Sequence, residues 1–565
     1  MSFHKILNLL KVQRDAEDVA HDGVYLNKDT RPLPPSRRTY GPWSFIGLWM
    51  VTGSFNIGGY TTGSSILSLG LNVWQAMLVV IIGHCLVALV CLGTGMPGAE
   101  WHIGFPILQR STWGIRGSIF TLCLRILLSF VWCSVQLWWG GKCVKTFIGA
   151  IWPSFYRVNH PLAGGTMDVS DFVGFLIFAL MCCPVVWVPP ERYHKFFIVC
   201  SIAMIACVFA LLGWAVNAAH GPGALVHNTS ELVGVIPAKG SALGWAFVYG
   251  ISSMLGGIAV HLFNQSDYTR FARRPKDQIL SQALIVPLGT ILNALIGIIV
   301  TSCAAQLYPT EGLLWQPYDL FTAIQNASGN SSRTRAAIAF ASIAFILAQL
   351  GIAVVENALS GGIDLAGLLP RWFTLRRGGY FTIALAFVFQ PWQLLNGASK
   401  FLTVIGTFST FLSPMIAIMI ADYFLVRHRK LSLTNLFTNS PHSIYWFNHG
   451  FHVRTFICWL IGVLPFTPGL AASVRVENLH GWTKLYNMGF ILGFVITFVL
   501  YYGSNLIFPI PYATIVDEED VFGTFTERTE SQHEVSFVGP DAEKNGQDEE
   551  DVKDVKDVKD VQASV

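Results

Sequence analysis

Charged side chains are scarce in this chain. Only 13% of its 565 residues are Asp, Glu, Lys or Arg, whereas 52% are hydrophobic. A soluble domain carries about 25% charged residues, and so few charges cannot cover the apolar surface of a water-soluble fold. The 18 tryptophans suit a chain with many membrane–water boundaries, where this side chain is enriched. The composition therefore predicts a protein that crosses the bilayer many times.

The motifs of several other protein classes are missing as well. No GxxxxGK[ST] phosphate loop, metal-ligand cluster or Ser–His–Asp arrangement is found, which argues against an enzyme or an ATP-driven pump. The eleven cysteines lack zinc-site spacing. A net charge of only +3, with no basic stripe among aromatic residues, argues against a nucleic-acid partner. We therefore expect no catalytic residue, no metal and no cofactor apart from a coupling ion.

Hydrophobic runs of about 20 residues, the length that crosses a bilayer as a helix, recur along the chain. They predict an all-α polytopic membrane protein with twelve transmembrane helices, which we number as spans 1 to 12. The predicted spans cover residues 44–69, 73–94, 118–140, 170–188, 196–218, 241–262, 281–305, 335–359, 379–395, 401–426, 455–474 and 485–509.

Polar segments flank the predicted membrane domain, residues 43–512. Residues 1–42 predict a cytosolic arm, and the acidic, low-complexity residues 513–565 predict a disordered cytosolic tail. The tail is either regulatory, with lysines that ubiquitylation or trafficking machinery would recognise, or a solvated end without a function. Lys and Arg are concentrated in the loops on the side of the N-terminus, which predicts that both termini are cytosolic.

Two spans carry a glycine pair near their midpoint. Gly58-Gly59 lies in span 1 and Gly256-Gly257 lies in span 6. Glycine holds a helix poorly, and matching breaks in two halves of a bundle indicate a transporter built from inverted repeats. Spans 1 and 6 each open a group of five, which predicts repeats over about 43–220 and 240–426 and two extra helices over about 455–509. The alternative is close helix packing through small residues.

Span 3 places an aromatic and an amide side chain on one face. Trp132 and Gln136 are four residues apart, which is one helical turn. An indole can stack on a flat heterocycle, and a carboxamide offers a donor and an acceptor to the edge of that ring. The pair suits a uracil-like or hydantoin-like ligand. The alternative is that Trp132 packs against lipid or a neighbouring helix and that Gln136 bonds across helices.

Span 8 carries a carboxyl group at membrane depth. Glu356 is costly there and marks a functional site by default, and a carboxyl that loads and releases a proton would serve ion coupling. The alternative is a structural ion pair, for instance with Arg125 of span 3. Asn357 has the donor and acceptor to read a second edge of an amide-rich ligand. Asp267 and Arg270, past the end of span 6, are candidates for gate charges or, alternatively, for loop and helix-end caps.

A set of ordered motifs carries a family resemblance. The motifs are Ser54-Phe-Asn-Ile, Pro97-Gly-Ala-Glu-Trp-His-Ile-Gly-Phe-Pro106, Trp113-Gly-Ile-Arg-Gly-Ser118, Trp132-Cys-Ser-Val-Gln136, Asp267-Tyr-Thr-Arg-Phe271, Asn357-Ala-Leu-Ser-Gly361 with Asp364-Leu, Pro391-Trp, and Ala421-Asp-Tyr-Phe424. From about Gly41 to Tyr512 the chain resembles the fungal Fur-like branch of the nucleobase–cation symporters. This branch contains uracil, allantoin and uridine permeases, with thiamine and nicotinamide riboside carriers as relatives.

The resemblance implies a LeuT-like fold with interrupted helices 1 and 6, alternating access and, for the fungal members, proton symport at the plasma membrane. In the family a Trp of the third helix stacks on the ring and a Gln one turn on bonds to it, which matches Trp132 and Gln136. An Asn of the eighth helix completes the ligand contacts and matches Asn357. The unwound parts of the first and sixth helices also line the site, which implies Phe55, Asn56, Gly256 and Gly257.

Glu356 departs from the family pattern, because the residue before this Asn is usually small in the uracil and allantoin members. An acid here either serves proton coupling or pairs with a cationic ligand such as thiamine or nicotinamide riboside. The first hypothesis is a secondary active transporter that imports a nucleobase-like compound (uracil, allantoin or a related ureide) by proton symport. The second is a vitamin or nucleoside carrier of the same fold, and a remote third is a non-transporting receptor with the same pocket.

Overall fold

Long apolar helices dominate the structure, a computed structural model that describes residues 11–12, 29–189, 192–226, 234–477, 479 and 481–525. Within these ranges, ten helices are long and apolar enough to cross a membrane. They correspond to ten of the predicted spans. Their bounds are Val73–Trp101 (span 2), Ser118–Ile151 (span 3), Val169–Trp187 (span 4), Phe196–Ala218 (span 5), Ser241–Phe263 (span 6), Ser281–Leu307 (span 7), Ser332–Leu368 (span 8), Ala398–Val426 (span 10), Val453–Arg475 (span 11) and Gly489–Ile507 (span 12).

Spans 1 and 9 consist of shorter helices, so length and composition do not confirm the predicted count of twelve. Span 9 is the helix Leu375–Ala386, continued by the turn Phe387–Phe389. A separate short helix, Pro391–Leu394, follows. Proline cannot donate the backbone hydrogen bond that a continuous helix needs, which explains why span 9 ends here.

Span 1 is interrupted, as predicted. Its first helix, Pro42–Trp49, widens into the turn Met50–Ser54. The next two residues leave the helical conformation, and a second helix then runs over Ile57–Ser65. The glycine pair on which the prediction rests lies inside the first turn of this second helix, so the break precedes the pair.

Span 6 is continuous through its glycine pair, so the predicted break at Gly256-Gly257 is wrong. The helix first departs from helical geometry at its end, at Asn264. A Cβ atom on Gly256 would overlap the Ser409 side chain and the Ile405 carbonyl of span 10. Gly256 therefore permits close packing between spans 6 and 10, which is the alternative stated for such glycines.

The centre of the bundle is formed by spans 3, 8 and 10. In the most apolar 18-residue stretch of each span, the buried share is 67% in span 3, 72% in span 8 and 78% in span 10. The corresponding share is only 28% in spans 5 and 12. A helix that is apolar on all sides and buried lies inside a bundle. A site built on spans 3 and 8 is therefore enclosed by protein rather than by lipid.

The described chain ends pack on one side of the bundle, which we call the N-terminal side because span 1 begins there. Residues 513–525 of the predicted disordered tail lie on it. Phe522 packs on Phe437 with 5.0 Å between ring centroids, and Phe525 packs on Trp101 at 5.7 Å. Two aromatic side chains therefore supply apolar contacts in this segment that the average composition conceals, and the disordered tail stays a prediction. Residues 526–565 lie outside the described ranges.

Short elements connect the spans. The hairpin strands β1 (Pro161–Leu162) and β2 (Met167–Asp168) are antiparallel and precede span 4. The shorter helices are Phe105–Trp113, Ser266–Thr269, Pro317–Ala327, Leu433–Phe437 and Gly481–Asn487. Phe105–Trp113 and Ser266–Thr269 directly follow spans 2 and 6, on the N-terminal side, and they contribute to the polar contacts described below.

Candidate functional site

Span 3 carries three buried side chains on one face. Trp132, Gln136 and Trp139 are four and three residues apart, the spacing that places side chains on one side of a helix. All three are buried. The Trp132 ring lies 5.7 Å from that of Phe408 in span 10 and 6.4 Å from that of Trp139, between centroids. Trp132 therefore points into the bundle and does not pack against lipid.

A narrow apolar cleft lies against Trp132, between span 3, the connection from span 9 to span 10, and the first turns of span 10. None of its lining residues carries a charge. It is lined by Trp132, Val135, Leu394, Leu395, Phe401, Val404 and Phe408.

Gln136 bonds across the bundle to span 8. The side-chain amide of Gln349 donates to the side-chain oxygen of Gln136 and, at 3.2 Å, to its backbone oxygen. This contact corresponds to the alternative in which Gln136 bonds across helices, and the ligand contact of Gln136 stays a prediction. Gln349 could have been identified from the sequence as a polar residue at membrane depth in span 8.

Three buried polar atoms on spans 3 and 8 are available to bond with a ligand. Within the described part of the chain, Trp132 Nε1, Trp139 Nε1 and Gln349 Oε1 have no hydrogen-bond partner. An unpaired buried donor or acceptor costs about 1–3 kcal/mol. A ligand with polar groups on its edge would recover that energy, and the surrounding aromatic rings would cover its faces.

Glu356 pairs with a histidine rather than with Arg125. His261 Nε2, on span 6, lies 2.8 Å from Glu356 Oε2, and only 9% and 2% of the two side chains are exposed. Arg125, the partner named in the structural alternative, pairs instead with Asp364 of span 8. Sequence analysis missed His261, although an ionisable residue within a span is a signal that could have identified it.

Asn357 lies in a widened turn of span 8. Residues Ala353–Ala358 form a π-helical turn, a feature that is frequent at functional sites. Asn357 is buried, and its side-chain amide donates to the Ile352 carbonyl at 3.0 Å. The amide is therefore bonded within its own helix here, and its contact with a ligand stays a prediction.

Polar contacts continue from Glu356 along span 8 toward the N-terminal side. Ser360 and Asp364 follow at intervals of four residues, on one helix face. Asn264 Nδ2 donates to Ser360 Oγ at 2.8 Å, and the Arg125 guanidinium bonds to both Ser360 and Asp364. We call three of these contacts the polar ladder: His261–Glu356, Asn264–Ser360 and Arg125–Asp364.

The predicted charges past span 6 lie at the end of this ladder. Asp267 Oδ1 accepts the Phe105 N–H at 2.8 Å, so it caps the helix that begins there. Its Oδ2 accepts from Asn264 at 3.1 Å. Arg270 donates to the backbone oxygen of Asp29, in the N-terminal arm, at 2.9 Å. The contact of Asp267 corresponds to the helix-end alternative, and the contact of Arg270 ties the arm to the bundle.

Span 7 satisfies the backbone groups that the break in span 1 exposes. Asn293 Nδ2 donates to the Ser54 carbonyl at 3.0 Å and to the Asn56 carbonyl at 2.8 Å. The Thr290 hydroxyl donates to the Gly53 carbonyl. Freed carbonyls at membrane depth need such partners inside the protein. Sequence analysis missed both residues, whose signal is polarity in the middle of an apolar run.

Two of the four lining residues implied by the family form this break, and the other two lie on span 6. Phe55 and Asn56 form it and are buried, and Asn56 Oδ1 accepts the Gly59 N–H at 2.9 Å, which caps the second helix of span 1. Gly257 faces Thr62 of that helix, whereas Gly256 packs on span 10. Their contacts with a ligand stay predictions.

Sequence comparison places the chain among known permeases. A family profile described as permease for cytosine/purines, uracil, thiamine, allantoin matches residues 32–493. The chain is 32% identical to Transporter aclS of Aspergillus oryzae over 561 residues, which cover 89% of this chain and 90% of that protein. It is 31% identical to a thiamine transporter of Saccharomyces cerevisiae, with 90% of this chain and 84% of that protein covered.

A solved structure shares the fold. The chain matches Mhp1, a nucleobase-cation-symport-1 family transporter in a closed conformation with bromovinylhydantoin bound, with a TM-score of 0.65 and 20% identity over 86% of this chain and 97% of that one. This match shows the predicted LeuT-like fold. The matched family consists of permeases and not of enzymes. The chain is therefore a membrane transporter of the nucleobase–cation symporter family.

Proposed function

We propose that this transporter imports a nucleobase-like compound, uracil, allantoin or a related ureide, together with a proton by alternating access. The observation that carries the proposal is the buried face of span 3, where Trp132 lies against an aromatic cleft and Gln136 meets Gln349. A flat ring would stack on the indole while its N–H and C=O edge bonds to the amides. Asn357 would read a second edge of the ligand.

The ion pair at Glu356 favours an uncharged ligand. A buried carboxylate without a cation would attract a cationic ligand, since an uncompensated buried charge is very costly. Here His261 already lies 2.8 Å from that carboxylate. Glu356 then serves proton coupling, while Trp132 and Gln136 hold the ring.

The second candidate is a carrier of thiamine, nicotinamide riboside or a nucleoside. It is supported by the 31% identity to a thiamine transporter and by the acid that replaces the usual small residue before Asn357. Glu356→Gln separates the two candidates. A cationic vitamin should lose affinity when the acid is removed, whereas a neutral nucleobase should keep its affinity and lose only proton-driven accumulation.

Uptake of radiolabelled uracil, allantoin and thiamine by cells without their own permeases tests the proposal. We expect uptake of uracil or allantoin that is lost on adding a protonophore. Uptake of thiamine alone would establish the second candidate. If no labelled compound crosses the membrane even after the chain ends are deleted, the receptor hypothesis gains support and the transport proposal fails.

One matched pair of variants and one further variant test the site. Trp132→Phe should raise the KM for uptake about tenfold through loss of stacking area and of the indole donor. Trp138→Phe is the control, since Trp138 lies on the same helix with an equal exposed fraction of 5% and contacts Phe175 and Trp392 instead. Gln136→Leu should act like Trp132→Phe. Equal KM values for the two tryptophan variants would contradict the assignment.

We further propose that the protein resides in the plasma membrane with both termini in the cytosol, and that lysines of the tail are targets of ubiquitylation or trafficking machinery. The concentration of Lys and Arg on the N-terminal side supports this orientation. Epitope tags at both termini test it. The tags should be protected from an external antibody in intact cells and become accessible after the membrane is permeabilised.

A further inference from the structure

The contact between His261 and Glu356 joins two different parts of the bundle. His261 belongs to span 6 and Glu356 to the π-helical turn of span 8. Their nitrogen and oxygen lie 2.8 Å apart and both side chains are nearly fully buried. The pair therefore joins a basic and an acidic side chain across spans 6 and 8, away from solvent.

The other charges near this contact compensate one another. Asp364 pairs with Arg125, and Asp267 lies within electrostatic reach of both Arg125 and Arg270. The two arginines thus balance the two aspartates. The remaining formal charge is the Glu356 carboxylate, so a single proton on the His261–Glu356 pair makes the cluster neutral, and a second proton makes it positive.

The titratable groups on the surrounding elements do not replace this pair. Tyr268, in the helix that follows span 6, interacts electrostatically with Glu356. The thiols of Cys133 and Cys182, on spans 3 and 4, interact with each other. His84, on span 2, contacts the carbonyl of Val80 in its own helix at 3.0 Å. None of these neutral groups supplies a cation to Glu356.

The pair also occupies the end of the polar ladder that is nearest the candidate site. Glu356 directly precedes Asn357, and the next two contacts of the ladder, Asn264–Ser360 and Arg125–Asp364, lie further toward the N-terminal side. The ladder therefore lies between the candidate site and the side on which an importer with a cytosolic N-terminus would release its substrate.

We propose that His261 is a coupling residue. Its ion pair with Glu356 is the proton-dependent contact that keeps the substrate's exit path to the N-terminal side closed. This proposal rests on the proposed proton symport. In the closed state protonated His261 faces the Glu356 carboxylate. A proton that enters with the substrate forms an O–H bond on Glu356, which becomes a neutral acid. The ion pair is then lost, spans 6 and 8 part, and substrate leaves.

The cycle balances with one proton per substrate. Glu356 releases its proton to water on the N-terminal side, which restores the carboxylate and the ion pair with His261. His261 keeps its own proton throughout. His261→Gln should therefore leave substrate binding intact. The contact between residue 261 and Glu356 should then no longer depend on protonation.

The test uses the full chain in proteoliposomes, with radiolabelled uracil and allantoin as probes. Counterflow at equal pH reports binding and movement of substrate. Accumulation under an imposed gradient of one pH unit reports coupling. In His261→Gln we expect counterflow close to that of the unmodified chain and a loss of accumulation of about tenfold, the effect of one pH unit of driving force. His84→Gln, at a buried histidine elsewhere, should change neither quantity.

Unchanged accumulation and an unchanged pH profile in His261→Gln would overturn the proposal. If His261→Gln does not fold, the double variant His261→Gln/Glu356→Gln replaces it, because removing both partners leaves no uncompensated buried charge. Retention of normal pH-driven accumulation by the double variant would also overturn the proposal. Transport of thiamine in place of both probes would refute the proposed substrate only, and the same comparison with thiamine would then decide the role of His261.

Discussion

The break in span 1 should depend on two side chains of span 7. Asn293 donates to two carbonyls of the break, those of Ser54 and Asn56, and Thr290 donates to a third, that of Gly53. An unpaired buried carbonyl costs about 1–3 kcal/mol. Thr290→Val, which keeps the shape of the side chain, should therefore destabilise the protein by about 1–3 kcal/mol, and Asn293→Leu by about 2–6 kcal/mol.

The assay is thermal unfolding of purified protein in detergent, followed by the fraction that stays monodisperse. The control is Gln306→Leu on the same span, since Gln306 donates to the Ala219 carbonyl away from the break. We expect melting temperatures in the order Gln306→Leu, Thr290→Val, Asn293→Leu, from highest to lowest. The reasoning is refuted if Asn293→Leu melts as high as the control, because the carbonyls of the break would then need no partner from span 7.

Three further perturbations follow from single contacts. Arg125→Leu should destabilise the protein by about 3–5 kcal/mol because it leaves the buried carboxylate of Asp364 without its cation. The double variant Arg125→Leu/Asp364→Leu should recover much of that stability. Equal melting temperatures for the single and double variants would contradict the pairing. Gly256→Ala should lower the melting temperature because its Cβ overlaps span 10, whereas Gly244→Ala, on the same span and with open space around it, should not; similar melting of both variants would contradict the close packing. Burial lowers the pKa of His452 from 6.5 to about 4. As the pH drops, the unfolded chain therefore binds this proton before the folded protein does, and stability falls between about pH 6.5 and 4. His452→Gln should make the melting temperature less dependent on pH over that interval, and an unchanged pH profile would exclude this residue as the cause.

The helix periodicity of span 3 allowed the buried face that carries Trp132 and Gln136 to be predicted. Trp132 and Gln136 share a face in any α-helix, because their spacing is one turn, and the structure places both inside the bundle. Their neighbours were harder to predict. Gln349 and Phe408 approach from other helices, and no local pattern in the sequence specifies which faces of two distant helices meet.

The two glycine pairs show the limit of a local signal. A glycine pair weakens a helix and also allows another helix to approach closely, so the same sequence feature is compatible with a break or with tight packing. Near Gly58-Gly59, span 7 offers Asn293 as a donor to freed carbonyls, and the helix is interrupted. At Gly256, span 10 offers its backbone and the Ser409 side chain as a packing surface, and the helix stays continuous.

The sequence alone determined the class of the protein, since too few charges and repeated apolar runs leave a helical membrane bundle as the answer. Its ordered motifs also determined the family. Only the tertiary structure decided how the buried charges are paired: Glu356 with His261, and Arg125 with Asp364. The physical reason is that a charge in a membrane interior must find its partner within a few ångströms, and that distance is set by the packing of helices far apart in the chain.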